Sequence, residues 1–215
     1  MSENLFEAQY DVTKKSKIRK IYESNKILIF SSILILIIAL GSFSFYLEHK
    51  ESKKILLSEN YIKAKFYLEN EEKNEALNIL KEVIFANDST YSTLSFFLII
   101  NKNLISEPEE ISALYDHLLK NNKFDEEIRN LLIYKKALFN SNFVTESKLL
   151  EDVKPLLNSE TLWKPHALLL LGDYYVSRNE NIKAKEFYQK ILLIDNLRKD
   201  FYDQAKSQLT TISHD

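Results

Sequence analysis

The residues able to do chemistry are few and scattered. Histidine stands at His49, His117, His166 and His214. No two are three or four residues apart, so no helical turn can present a pair of imidazoles to one metal ion. His117 follows Asp116, but a catalytic histidine needs an oriented partner and a pocket, and one neighbour supplies neither. Paired carboxylates occur at Glu71–Glu72, Glu109–Glu110 and Glu126–Glu127. Each pair falls near a predicted helix start, where the helix dipole accounts for acidic side chains without any reaction. The chain has no cysteine, which removes disulfides and thiolate chemistry. Its two glycines, Gly41 and Gly172, cannot form a GxGxxG or a phosphate-binding loop. The expectation is a protein that is not an enzyme, with no metal, no cofactor and no small-molecule substrate. A net charge of −2 offers no basic footprint for nucleic acid.

The elements carry more information. Two glycines and three prolines in 215 residues are too few for a many-stranded β protein, which needs turn residues every few positions. The composition points to an all-α chain of helices joined by short polar turns. Residues 27–47, "ILIFSSILILIIALGSFSFYL", are uncharged and mostly apolar. As a helix they span about 31 Å, the thickness of a bilayer core. A core helix is rarely apolar on every face for six turns, so the segment reads as a transmembrane anchor. A cleaved signal peptide is the rival reading, with Ala39, Leu40 and Gly41 as the small-residue site. Against it stand the long preceding segment and the apolar run through Phe43, Phe45, Tyr46 and Leu47.

Charge sets the expected orientation. The fifteen residues before the span hold Lys14, Lys15, Lys17, Arg19, Lys20 and Lys26; the fifteen after it hold Lys50, Lys53 and Lys54. Cations resist translocation, so residues 1–26 are expected in the cytoplasm and residues 48–215 beyond the membrane, in the periplasm of a bacterium. The run "KKSKIRK" serves as the topology signal, with general attraction to anionic lipid; docking of a partner is its alternative reading.

Beyond the span, helical stripes alternate with short breaks. Leu57, Tyr61, Ala64 and Leu68 form the first, in a helix continuing from the membrane segment with little break. Ala76, Leu77, Leu80, Val83 and Ile84 form the second. "NDST" offers N-caps for an apolar helix from Tyr91 to about Leu104. Ser106 and Glu109 have capping-box spacing ahead of a helix that turns Leu114, Leu118 and Leu119 inward. A further helix carries Ile128, Leu131, Leu132, Lys135 and Leu138. The next runs from about Thr145 to Leu157, bent or ended near Pro155. A last helix spans about Leu197 to Ile212. Breaks this short imply antiparallel neighbours.

The chain also echoes itself. Setting "AKFYLENEEKNEALNILKEVI" (Ala64–Ile84) above "GDYYVSRNENIKAKEFYQKIL" (Gly172–Leu192) aligns Ala64 with Gly172, Phe66 with Tyr174 and Tyr67 with Tyr175. It also aligns Ala76 with Ala184, Leu80 with Tyr188 and Val83 with Ile191. The two stretches lie 108 residues apart, about three periods of a helix-hairpin repeat. Small residues would let paired helices approach while aromatics fill the wedge between them. These are packing residues, so they identify an architecture and leave the ligand unnamed.

This pattern resembles the tetratricopeptide repeat, with Leu168, Leu171, Gly172, Tyr175, Ala184 and Tyr188 at its consensus positions. Asn196 stands where that repeat usually has proline, and Leu168 where it has tryptophan. Across most of its length the chain is similar to the bacterial family described as ancillary SecYEG translocon subunit, whose repeat domain is also described with the cell division coordinator. The resemblance rests on the basic segment, the single span, "LWKPHALLLLGDYYVSRNENIKAKEFYQKIL" and the closing "RKDFYDQAKSQL". It implies a single-pass inner-membrane protein with an irregular tetratricopeptide-like array in the periplasm. The implied partners are translocon subunits, periplasmic chaperones and exported clients. By likeness to tetratricopeptide grooves, Tyr61, Lys65, Leu68, Leu169, Asp173 and Val176 are candidate partner-facing positions, although Leu68, Leu169 and Val176 suit packing equally well. The alternative is an envelope scaffold that associates with itself.

Overall fold

A computed structural model describes residues 17–158 and 160–213. Lys14, Lys15 and His214 lie outside the described residues, as do the side chains of Lys17, Arg19 and Lys20. All regular structure among the described residues is helical. In chain order the helices are α1 (Lys17–Glu69), α2 (Lys73–Phe85), α3 (Ser89–Asn101), α4 (Pro108–Asn121) and α5 (Glu126–Asn140), followed by α6 (Glu146–Leu157), α7 (Lys164–Val176), α8 (Asn181–Leu192) and α9 (Lys199–Thr211).

The apolar run 27–47 lies wholly within α1 and is long and apolar enough to cross a membrane. None of its side chains is buried by the rest of the protein. The Ser32 hydroxyl donates to the Leu28 carbonyl 2.8 Å away, which satisfies that polar group within the helix itself. Asn25 departs from helical geometry just ahead of the run, with φ −119° and ψ 22°.

The chain divides into two compact units, Met1–Ile55 and Leu56–Asp215. Residues 48–55 are helical and exposed, and the second unit takes up the chain from Leu56. Within it, Leu57 and Ala64 are buried, while Tyr61 and Leu68 are half-buried, as the stripe requires. Ala64 shares one core with Ala76, Leu80 and Ile84 of α2, Phe96 and Ile99 of α3, and Leu114 and Leu118 of α4. A second core gathers Ile133 and Ala137 of α5, Leu149, Val153 and Leu156 of α6, and the buried faces of α7, α8 and α9.

The repeat echo extends to the turns. After α1, Glu71 N–H donates to Leu68 O and Glu72 N–H to Tyr67 O. After α7, Asn179 N–H donates to Val176 O and Glu180 N–H to Tyr175 O, each group 108 positions further on. Both are Schellman closures with a left-handed residue at the centre, at φ 62° for Glu71 and 61° for Asn179. Asparagine tolerates that region. Glutamate accepts it at a cost of about 1–2 kcal/mol, carried by the packing of the two helices.

One local expectation needs correction. Ser106 and Glu109 form no capping box: the N-cap of α4 is Glu107, with no side-chain cap bond, and Pro108 opens the helix. Proline at the first position fixes the helical φ and holds its predecessor extended, so the start falls one residue later than serine capping would place it. In α5, Ile128, Lys135 and Leu138 are exposed and Leu131 is half-buried, so of the five positions named above only Leu132 is buried. The inward face is Asn130, Leu132, Ile133, Lys136, Ala137 and Asn140. Three polar side chains there are buried because each has a partner on another element. Elsewhere local chemistry behaves as expected: Asp88 of "NDST" caps α3 by accepting from Thr90 and Tyr91 N–H, and Thr145 caps α6, which continues through Pro155 to Leu157.

Candidate functional site

The repeat-signature residues form the joint between paired helices. Ala64, Ala76, Leu80, Leu168, Leu171, Gly172, Tyr175, Ala184 and Tyr188 are buried, and Tyr67 is half-buried. Gly172 faces the ring of Tyr188: a Cβ built on it would lie 2.7 Å from Cζ and 2.8 Å from Cδ1. The Tyr188 hydroxyl donates to Asp173 Oδ1 at 2.7 Å, which pins the ring at its far end. Burial, then this carboxylate, hold the Tyr188 phenol well above its ordinary pKa. Next to it, Tyr175 stacks on Phe187 at 5.4 Å with the rings 10° from parallel. Its hydroxyl donates to Glu146 Oε1 at 2.7 Å, joining α7 to α6. Burial first, and then Glu146, push Tyr175 up to about 12. Glu146 is in turn held below the usual carboxylate range by the Tyr175 hydrogen bond and by Lys183.

The candidate partner-facing residues divide. Lys65 and Asp173 are exposed, and Asp173 is already the acceptor for Tyr188. Leu169 is buried, at 7 % exposure, within the C-terminal core. Val176 packs against that core and Leu68 against the other, each half-buried. Tyr61 is half-buried, with its ring 6.4 Å from Tyr91. Leu169 and Val176 are spent on packing in the C-terminal core, and Leu68 on packing α1 into the other core.

His49 is exposed on α1. His117 does not pair with Asp116. Its Nε2 lies 2.8 Å from Asn87 Oδ1 and its Nδ1 lies 3.1 Å from Asn121 Nδ2. Nε2–H therefore donates to Asn87, which sits at φ 59° in the α2–α3 turn, and Nδ1 accepts. Asp116 instead accepts from Lys136 Nζ at 2.7 Å, and Lys136 also reaches Asp152 Oδ1 at 2.9 Å. Asn140 donates to the other Asp152 oxygen at 2.8 Å. This set, buried at Lys136, Asn140 and Asp152 and open to water at Asp116, ties α4, α5 and α6 together. Charge buried this deeply persists only when its hydrogen bonds are complete.

An open groove lies at the start of α7. It encloses about 700 Å³ between the first turns of α5, residues 160–166 and residues 194–201. Trp163 and His166 line it, with rings 4.8 Å apart, and both meet Tyr134, at 5.6 and 5.4 Å. His166 also meets Phe201 of α9 edge-on at 4.6 Å. The Trp163 indole N–H donates to Glu127 Oε2 at 3.1 Å. His166 Nδ1–H points to the Leu162 carbonyl at 3.3 Å. Burial holds His166 below the usual imidazole range; the Leu162 bond opposes that shift, Arg198 adds to it and Asp200 opposes it. Leu162, at the rim, is 73 % exposed, and Ile128 is 45 % exposed.

No residue of this groove stood among the candidate partner-facing positions. A usable signal was present, since the chain's single tryptophan and an adjacent leucine occupy a loop rather than a helix stripe. Comparison of the chain with protein-family models, with curated proteins and with solved structures finds no match.

Proposed function

We propose that this chain is a membrane-anchored protein-interaction adaptor that links the Sec translocon to exported clients or periplasmic chaperones. One observation carries the reading: the same helix, α1, contains the exposed apolar run 27–47 and the Leu57–Leu68 stripe that opens the helical array. An anchor joined without a linker keeps an interaction domain near membrane partners and raises its effective concentration for them. The basic flank supports a cytoplasmic N-terminus, and with it a periplasmic array. In vivo photo-crosslinking from positions 45 and 61, followed by mass spectrometry, tests the proposal. Translocon subunits, chaperones or clients are expected among the adducts. Self-adducts alone at every position tested would sink it.

The self-associating envelope scaffold has its own support. Ile62 and Phe66 lie exposed on the face of α1 opposite Leu57 and Ala64, with no covering element among the described residues. In the second hairpin the corresponding positions, Leu170 and Tyr174, are buried. The same crosslinking separates the readings, since self-adducts confined to the α1 face favour the scaffold.

A further inference from the structure

We propose that the groove at the start of α7 binds an extended peptide segment in which bulky apolar residues are flanked by lysine or arginine. The inference rests on the adaptor reading and specifies the chemistry of the segment gripped. Three features point to it.

The groove's volume suits a few side chains, and its walls are apolar: Ile128 and Leu131 on α5, Leu162 before α7, Leu197 before α9. Leu162 and Ile128 both face water in the lining of the same groove, whose aromatic members are Trp163, His166 and Phe201. An apolar side chain laid between these walls would remove the exposed hydrocarbon from water.

The charges are arranged unevenly. Lys164 is matched by Glu160 at 2.9 Å and Arg198 by Asp200 at 2.6 Å. Glu127 on α5 and Asp195 in the α8–α9 loop also line the groove, and neither has a cationic partner among the described residues. They come from separate stretches of the lining, one on α5 and one between α8 and α9, which also holds apolar Ile128, Leu131, Leu162 and Leu197. A segment with apolar residues at its centre and cations on either side matches that lining.

Arg198, whose guanidinium lies 5.4 Å over the Phe201 ring, is the cation nearest the aromatic floor, and it is already matched by Asp200. Trp163 already donates its only N–H to Glu127, and His166 adds no positive charge at neutral pH. An acidic segment would instead meet Glu127 and Asp195 with no unpaired cation to receive it.

The test uses the full-length protein in phosphatidylcholine nanodiscs, with emission of Trp163 as the readout. The probes are two short tryptophan-free peptides, one with Leu-Phe-Leu between lysines and one with the same centre between glutamates. The lysine peptide should change Trp163 emission saturably and bind roughly three- to tenfold more tightly than the glutamate peptide, the range expected for two partly exposed charge pairs. Glu127→Gln combined with Asp195→Asn should erase that preference. Leu162→Ser, at an exposed site that folding does not need, should weaken both peptides. Equal binding of the two peptides, binding of neither, or an unchanged affinity in Leu162→Ser overturns the proposal. Failure here is distinct from failure of the adaptor reading, because crosslinks to translocon subunits or clients can form while this groove takes no peptide.

Discussion

Adding one methyl group at Gly172 probes the joint that defines the array. A Cβ there would sit inside contact distance of the Tyr188 ring, at 2.7 Å from Cζ, where carbon pairs prefer about 3.5–4.0 Å. The ring cannot simply withdraw, because it is fully buried and its hydroxyl is fixed on Asp173 at 2.7 Å. Forcing a methyl into such a core costs about 1–3 kcal/mol, and losing the hydrogen bond to a charged acceptor costs about 1.5–3 kcal/mol. Replacing glycine by alanine inside a helix returns about 1 kcal/mol. Gly172→Ala should therefore destabilise the array by about 3 kcal/mol, lowering Tm by about 6–12 °C for a unit of this size. Thermal unfolding followed by Trp163 emission measures it. The companion experiment repeats the change in a Tyr188→Leu background, which reproduces the Ala64/Leu80 combination of the first hairpin. There the clash is gone, and Gly172→Ala should be neutral or stabilising. If Gly172→Ala is as stable as the parent with Tyr188 present, or if the two backgrounds respond alike, the wedge argument is wrong.

Two further outcomes follow from the polar interior. Lys136→Met should cost about 1.5–3 kcal/mol, because it removes the buried cation from Asp152, whose side chain is only 3 % exposed and which keeps only Asn140 at 2.8 Å and Lys148 at 3.5 Å. Urea unfolding of Lys136→Met against the double variant Lys136→Met/Asp152→Leu checks the mechanism, since the double variant should recover most of the loss. The second outcome concerns pH. Burial lowers the His166 pKa in the folded protein, so the unfolded chain takes up its proton first as pH falls through about 6.5. Stability should decline from that point and level off below the folded value. The urea midpoint between pH 7.5 and 5.5 should fall less in His166→Gln than in the parent, and equal falls would exclude His166 as the cause.

Much of the fold was legible because helix signals are local. The Leu57–Leu68 stripe, the Asp88 cap and the hairpin from α7 to α8 each depend on neighbours within a few turns. The rest depended on something further away. Of the residues named for α5 from Ile128 to Leu138 only Leu132 is buried, and Asn130, Lys136 and Asn140 share the inner face. Their partners are Thr161, Asp116 and Asp152, which no periodicity within α5 can reveal. His117 was read beside its chain neighbour Asp116, whereas its partner Asn87 stands thirty residues earlier. The candidate groove was the least legible feature, being assembled from three separate stretches of chain.

By itself the sequence determined a helical chain, an apolar run long enough to span a bilayer, and two hairpins 108 residues apart built on the same small-and-aromatic pattern. Those properties follow from side-chain volume, hydropathy and the helical period, which act over a few residues. Only the tertiary structure decided that Gly172 receives the Tyr188 ring, that Lys136 is buried between two aspartates, and that Leu162 is left facing water beside Trp163. Burying a polar group depends on whether a distant element brings a partner, and exposing an apolar one on whether any element arrives to cover it. Both outcomes are set when the helices pack.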